Sequence, residues 1–270
     1  MTSELLNALA QTTLATGFTF LCTAAGAAAV FFMKPGNGRG RGAELAETLS
    51  LGFAAGIMIA ASVWSLIIPA QEMAQAQGGT PWLAAGSGVA AGALFLKLLD
   101  TALPHLHPGA ARPEGPKTSM HRAMLLFIAI TLHNVPEGGS VGLVAGSAAL
   151  SGEPAELSSA LALGIGIQNI PEGAAVSLPL AGQGMSRMRA FLFGAFSGIV
   201  EPVFGLLVVL VLQTVMPAMP FMLAFAAGAM LYVVVEELIP AAHLSKHSDA
   251  GTLAVITGFI LMMTLDTALG

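Results

Sequence analysis

Cysteine is nearly missing from this sequence. The 270 residues include one cysteine, Cys22, which excludes a disulfide framework and a metal cluster built on thiolates. Charged residues are also scarce, at 9% of the chain, whereas a soluble domain has about 25%. The net charge of −5 is modest and indicates no nucleic-acid partner. With 55% hydrophobic residues and a mean hydropathy of +0.80, the composition is typical of a membrane protein.

Long apolar runs cover most of the chain, and short connections separate them. Each run is close to the ~20 residues that an α-helix needs to cross a hydrocarbon core of about 30 Å. We therefore predict an all-α, polytopic membrane protein that forms one domain over residues 1–270, with eight transmembrane helices embedded in the lipid bilayer. These predicted helices, called segments 1 to 8 below, lie at 10–33, 48–73, 81–103, 123–148, 157–181, 187–213, 219–242 and 251–269.

Basic residues are missing from the termini and from every even-numbered connection between segments. Because Lys and Arg accumulate on the cytoplasmic side, this alternation predicts that the odd-numbered connections face the cytoplasm. Both termini are then on the outer face of the plasma or inner membrane. The cytoplasmic connection at 104–121 also contains His105, His107 and His121, which either hold metal released from the membrane or are ordinary solvated histidines.

Two phrases recur in segments that this topology makes antiparallel. AGIMIAASVWSLIIPA at 55–70 resembles AGAMLYVVVEELIPA at 227–241, and LDTALP at 99–104 resembles LDTALG at 265–270. Their order predicts an inverted repeat, with segments 1–3 related to segments 6–8 and segments 4 and 5 forming a central pair. Inverted repeats characterise secondary transporters, whose binding site lies near the midplane of the membrane.

The central pair carries a third repeated phrase, TLHNVPEGGS at 131–140 and GIQNIPEGAA at 166–175. His133 lies about ten residues into segment 4 and is therefore about 15 Å deep, at ~1.5 Å per residue, which is the middle of the bilayer. Gln168 is equally deep from the opposite side, and Glu201 of segment 6 reaches a similar level. Polar groups from three segments thus meet at one depth.

The polar residues of each phrase also share one helical face. His133 and Glu137 are four residues apart, and Asn134 and Glu137 are three apart, so the three project from the same side. Segment 5 repeats this spacing with Gln168, Asn169 and Glu172.

Each phrase also contains a proline, which has no N–H to donate. Pro136 therefore deprives the Leu132 carbonyl of its helical partner, and Pro171 does the same to Ile167. Free carbonyls at membrane depth are tolerated where they are buried in protein or line a polar cavity. A Pro-Glu-Gly phrase can also mark a simple kink, but two copies at matching depth favour a binding site.

Three carboxylates at this depth need compensation. An ionised residue at the bilayer centre costs roughly 2.5–3.5 kcal/mol, so Glu137, Glu172 and Glu201 together would cost about 8–10 kcal/mol, comparable to the stability of a whole domain. With one imidazole and several amide oxygens, they form a ligand set that suits Zn²⁺, Fe²⁺, Mn²⁺ or Co²⁺ better than Cu⁺. Met58 of segment 2 lies at the same depth and is either a soft ligand or a packing residue.

The hexapeptide HNVPEG at 133–138 resembles the fourth-helix signature of the ZIP (Zrt-, Irt-like protein) metal transporters, and QNIPEG at 168–173 resembles its fifth-helix counterpart. The eight segments, the outside termini and the Glu-Pro of segment 6 are similar as well. The resemblance is to the bacterial branch whose members can hold a binuclear metal centre. It implies uptake of Zn²⁺, or of Fe²⁺, Mn²⁺, Co²⁺ or Cd²⁺, into the cytoplasm. It also implies an elevator-like homodimer in which segments 1, 4, 5 and 6 move as a transport unit against a scaffold of segments 2, 3, 7 and 8.

The same resemblance implies two metal positions bridged by the two motif glutamates. This chain has Gln168 where the family often has His, and Asn169 where some binuclear members have Asp. Because neutral amides do not offset the charge of two divalent ions, we expect one tight ion and a weak second. The first position would use His133, Glu137, Gln168 and Glu172, with Met58 nearby, and the second Asn134, Glu137, Asn169, Glu172 and Glu201.

Signatures of a competing class, the intramembrane hydrolases, are missing. The H-E-x-x-H zinc-protease motif does not occur, and no Ser or Cys has a His at helical spacing. We therefore predict no enzyme and no catalytic cofactor, with the divalent ion as the transported substrate and an intramembrane metallohydrolase as the remote alternative. A proton-coupled metal exchanger or exporter is the alternative function, because glutamates that exchange a metal ion for protons can act in either direction.

Overall fold

Helices form all of the regular structure that the computed structural model describes, which comprises residues 3–32, 41–102, 122–152, 156–182, 184–243 and 248–269. The histidine-containing connection at 104–121 lies outside these residues. The helices are α1 (Ser3–Ala27), α2 (Arg41–Ala61), α3 (Ile68–Ala76), α4 (Pro81–Ala102), α5 (Arg122–Ser151), α6 (Glu156–Gly182), α7 (Arg187–Ser197), α8 (Val200–Val215), α9 (Met219–Val233), α10 (Ile239–His243) and α11 (Ser248–Leu269). Short 3₁₀ turns occupy Ala28–Phe32 and Met216–Ala218, and π-helical turns occupy Ser62–Ile67 and Val234–Leu238.

The helices follow the predicted segments closely. Segments 1, 3, 4, 5 and 8 correspond to α1, α4, α5, α6 and α11, whereas segments 2, 6 and 7 each combine two consecutive helices. The all-α, polytopic membrane architecture is confirmed for the described residues. Within the described part of the chain, six helical stretches are long and apolar enough to cross a membrane: Ser3–Phe32, Thr48–Ala76, Pro81–Ala102, Arg187–Leu212, Met219–Leu238 and Asp249–Ala268.

Segment 6 differs from the continuous helix predicted over 187–213, because it is broken between α7 and α8. Pro202 has no N–H, so the Gly198 carbonyl cannot receive its usual helical bond. That carbonyl instead accepts the N–H of Glu201 at 3.1 Å, three residues on. The chain therefore turns at Gly198 and Ile199 and begins a new helix at Val200. This break lies within the apolar stretch Arg187–Leu212 and directly before Glu201.

Two π-helical turns interrupt segments 2 and 7 at corresponding places in their related phrases. In each, an Ile-Pro-Ala sequence follows the turn. The N–H of Ile68 donates to the carbonyl of Val63, and the N–H of Ile239 donates to that of Val234, five residues back in both cases. The residue after each isoleucine is a proline, Pro69 or Pro240, which has no N–H and so cannot make the next helical hydrogen bond. A π turn is a usual way to accommodate such a local irregularity.

The helices pack in two groups. In one group the most extensive contacts are between α2 and α11 and between α4 and α9; in the other they are between α1 and α6 and between α5 and α8. The groups meet mainly where α2 and α11 lie against α6 and where α5 lies against α9. The two helices that carry the repeated hexapeptides, α5 and α6, therefore belong to one group and face the other.

The glycine of each Pro-Glu-Gly phrase lies where two helices approach closely. A Cβ atom on Gly138 would collide with the backbone of Glu201 in α8, and one on Gly173 would collide with the carbonyl of Thr23 in α1. Small residues allow such approaches in membrane bundles, where helix association depends on van der Waals packing. These glycines therefore allow α8 to pack directly against the Pro-Glu-Gly phrase of α5, and α1 against that of α6.

The adjacent glycines Gly138 and Gly139 allow a matched test of this packing. Gly138→Ala is expected to destabilise the protein by about 1–3 kcal/mol, the usual cost of overpacking. At Gly139 a Cβ would meet no described atom within 4 Å, and alanine favours a helix by up to about 1 kcal/mol over glycine. Thermal unfolding in detergent measures both variants. Equal midpoints would contradict the close approach at Gly138.

Candidate metal centre

The structure buries seven of the eight predicted ligands, six of them polar, in the interior of the helix bundle. His133 lies on α5 directly before Asn134, but its side chain is outside the described part of the chain. Met58 is buried in the hydrophobic core that also contains Ile165 and Met262, and its role as a ligand stays a prediction. The six buried polar residues are Asn134, Glu137, Gln168, Asn169 and Glu201, each 0% exposed, and Glu172, 6% exposed.

One polar pair links the two hexapeptides. Gln168 Nε2 donates a hydrogen bond of 2.8 Å to Glu137 Oε1, joining α6 to α5. The other carboxylate oxygen of Glu137 and the amide oxygen of Gln168 are both buried without a hydrogen-bond partner among the described residues. Since the amide nitrogen faces the glutamate, the amide oxygen of Gln168 remains available as a ligand.

A second polar pair links α6 to the break in segment 6. Asn169 Nδ2 donates to both carboxylate oxygens of Glu201, at 2.9 Å each. The Thr23 hydroxyl lies 3.3 Å from Glu201 Oε1 and 3.3 Å from the Thr19 carbonyl oxygen, so its one hydrogen is shared between these two acceptors. Glu201 also lies in the first turn of α8, where the helix dipole favours negative charge. Glu201 is therefore the best-compensated of the three glutamates.

The break in segment 6 also positions Asn134. Because the Glu201 N–H bonds the carbonyl of Gly198, the neighbouring Ser197 carbonyl can accept a bond from outside its own helix. Asn134 Nδ2 donates to that carbonyl at 3.0 Å. The amide oxygen of Asn134 is left buried without a partner in the described part of the structure.

Unpartnered oxygens are concentrated in this region. Eight buried side-chain polar atoms of the described residues lack a hydrogen-bond partner, and five of them belong to the six buried polar residues of the predicted ligand set. A buried group in this condition costs about 1–3 kcal/mol, and an acceptor oxygen is satisfied only by a donor or by a cation. The five atoms are Asn134 Oδ1, Glu137 Oε2, Gln168 Oε1, Asn169 Oδ1 and Glu172 Oε2.

The carboxylates in this region repel one another. Glu137 is close enough to interact electrostatically with Glu172 and Glu201, and Glu172 also interacts with Glu201 and with Glu237 of segment 7. The helices that carry Glu137, Glu172 and Glu201 contain no Lys or Arg except Arg122 at the start of α5, fifteen residues before Glu137. These three helices therefore supply no basic side chain beside the glutamates.

The acidic groups alone do not make a metal cluster. Among the described side chains, which do not include His133, no three His, Cys, Asp or Glu residues are grouped so that they could hold a metal ion. The described side chains that could add further oxygens beside these glutamates are the amides of the two hexapeptides. Carboxylate, amide and imidazole ligands together suit a borderline divalent cation.

Helix α1 also contributes to this region, which was not predicted from the sequence. Its threonines at positions 12, 16, 19 and 23 are all 0% exposed, with the spacing of one helical face. Thr23 donates to Glu201, and the carbonyl of Thr19 accepts a 3.3 Å bond from Asn169 Nδ2. This helical spacing of threonines in an apolar segment was the signal that could have found them.

The chain matches the family model described as "ZIP Zinc transporter" over residues 105–266. It is 37% identical to zinc transporter ZIP11 of Homo sapiens, over 96% of this chain and 97% of that protein. It is 40% identical to zinc transporter GufA of Myxococcus xanthus, over 77% of this chain and 81% of GufA. Zinc transporter ZIPB of Bordetella bronchiseptica is 37% identical over 82% of this chain and 71% of its own length. As its paired hexapeptides predict, this multi-pass membrane protein belongs to the ZIP family.

Proposed function

We propose that this protein carries divalent transition-metal cations, Zn²⁺ foremost, across the membrane and into the cytoplasm. The observation that carries the proposal is the set of five buried, unpartnered oxygens on the two hexapeptides. A divalent cation bound among them would take up several of these oxygens and offset the charge of the neighbouring glutamates. The relatives named as zinc transporters support the choice of metal.

The central ligands in this proposal come equally from the two hexapeptides. Glu137 and Gln168 are already held together by a hydrogen bond, and each keeps one free oxygen. Glu172 adds a second carboxylate from α6, with one oxygen unpartnered among the described residues. His133, four residues before Glu137 on α5, supplies the imidazole. Two carboxylates balance the charge of one divalent ion.

The helix contacts support an inverted repeat with eight membrane-spanning segments. Exchanging segment 1 with 6, 2 with 7, 3 with 8 and 4 with 5 converts the α2–α11 contact into the α9–α4 contact. The same exchange converts the α1–α6 contact into the α8–α5 contact. The paired π turns agree with this relation. So do the aspartates of the LDTAL phrases: Asp266 accepts a 2.6 Å bond from Ser65 in segment 2, and Asp100 a 3.3 Å bond from Tyr232 in segment 7.

The two helix groups support an elevator-like division of labour. Segments 1, 4, 5 and 6 would form the transport unit, and segments 2, 3, 7 and 8 the scaffold. Contacts within each group are more extensive than those between them, so one group can slide against the other with limited loss of packing. Large apolar side chains are exposed on α4 and α11 of the scaffold, including Trp82, Leu94 and Leu253. They would face lipid or the second subunit of the homodimer.

Export and proton-coupled exchange are the second candidates. They are favoured by the mutual repulsion of the glutamates, since such groups bind a metal and protons alternately. Enzymatic hydrolysis has no comparable support, because the relatives are named as transporters.

Influx of zinc into liposomes that contain a zinc-sensitive dye tests the proposed function. His133→Ala combined with Glu172→Ala is expected to lower the initial rate at least tenfold, since losing a ligand costs more than about 1.4 kcal/mol of binding. The matched control is Glu72→Gln, which neutralises an exposed carboxylate on α3. Unchanged influx in a folded double variant would mean that the hexapeptides are structural kinks.

Cysteine labelling tests the proposed orientation in a Cys22→Ser background, which has no other thiol. A cysteine introduced by Ser3→Cys is expected to react with a membrane-impermeant maleimide applied to intact cells. One introduced by Ser186→Cys, at the exposed start of α7 beside two arginines, is expected to react only after the cells are opened. The reverse pattern would contradict the proposed orientation.

A further inference from the structure

The amide group of Asn169 has only one orientation that fits its surroundings. Its nitrogen lies 2.9 Å from both carboxylate oxygens of Glu201 and 3.3 Å from the carbonyl oxygen of Thr19. All three neighbours are acceptors, so the NH₂ group and not the oxygen must face them. Asn169 thus directs its donor hydrogens toward the carboxylate of Glu201.

Glu201 differs in this respect from the other two glutamates. Both of its oxygens accept hydrogen bonds from Asn169, and one accepts a further bond from Thr23. Glu137 and Glu172 each keep an oxygen that has no partner among the described residues. Hydrogen bonds to an ionised group are the strong ones, and the first turn of α8 adds favourable dipole potential. Glu201 is therefore stabilised by the protein itself.

A cation on Glu201 would have to displace the Asn169 amide. The amide hydrogens carry partial positive charge and face both carboxylate oxygens of Glu201, so they repel a cation that approaches those oxygens from the same side. Two divalent ions would also leave a formal excess of +1 over three carboxylates. One divalent ion leaves a formal charge of −1 over the three carboxylates. Glu201 can hold this charge, because Asn169 and Thr23 already donate hydrogen bonds to it.

Resting on the proposed function, we infer that Asn169 closes the second cation position and that the centre holds a single divalent ion between Glu137 and Glu172. Asn169 is then a residue that sets the metal stoichiometry. Glu201 acts as its hydrogen-bonded partner and holds α6 against α8, and it does not bind the transported metal.

The direct test is the number of zinc ions bound per chain by the purified full-length protein in detergent. Titration calorimetry and elemental analysis after desalting give this number without a transport assay. The wild type is expected to bind one ion. Asn169→Asp is expected to bind two, because a carboxylate offers oxygens where the amide offers hydrogens. Adding Glu201→Gln to Asn169→Asp is expected to restore one.

Glu201→Gln alone keeps the inference testable if the aspartate variant fails to fold. Removing the nearby charge of Glu201 should weaken zinc binding less than removing a ligand, as Glu137→Gln does, which weakens binding by about tenfold or more. Two ions in the wild type, or a loss of affinity in Glu201→Gln as large as that in Glu137→Gln, would overturn the inference and leave the proposed function standing. Binding that Glu137→Ala does not weaken would overturn both.

Asn134→Asp is the matched control for added charge. It introduces the same carboxylate on the other hexapeptide, but the Asn134 amide donates to the Ser197 carbonyl and not to a glutamate. We expect this variant to remain at one ion. If it also gains a second ion, the number of negative charges and not the Asn169–Glu201 bond sets the stoichiometry, and the inference is wrong.

Discussion

A carboxylate in the middle of a bilayer has to be compensated by hydrogen-bond donors, by a proton or by a cation, and this constraint organises the centre of the molecule. Glu201 receives donors from Asn169 and Thr23 and lies at a helix start. Glu137 receives only the Gln168 amide among the described donors, and it keeps a free oxygen. Glu201 is thus stabilised by hydrogen bonds within the protein, whereas Glu137 and Glu172 keep oxygens that could bind a cation. The proposed transport site follows from that difference.

Irregular backbone supplies much of this chemistry. Pro202 and Gly198 break segment 6, and the break frees the Ser197 carbonyl that orients Asn134. The motif glycine Gly138 allows α8 to approach α5, so that Glu201 lies beside the hexapeptides. Broken helices at membrane depth occur where they are buried in protein or line a cavity. The same features that interrupt regular helices therefore assemble the polar centre.

Hydropathy and spacing predicted the helices and the buried polar residues well, because both depend on local sequence. Helix α6 extends over Glu156–Gly182, against a predicted 157–181. The break in segment 6 and the π turns were missed, since a proline inside an apolar run is compatible with either a kink or a break. The hydrogen bonds between Asn169 and Glu201 could not be predicted from the sequence either. It depends on the orientation of an amide and on the packing of α6 against α1 and α8, which no local pattern encodes.

Anomalous diffraction at the zinc absorption edge, from crystals grown with Zn²⁺, is the most direct test of the central claim. We expect a metal peak between the Pro-Glu-Gly phrases of α5 and α6, bounded by oxygens of Glu137, Gln168 and Glu172 at about 2.0–2.2 Å. Zinc bound elsewhere, with ordered water filling this position and donating to the same oxygens, would contradict it. Such a result would mean that the buried oxygens are hydration sites and that the metal takes another route.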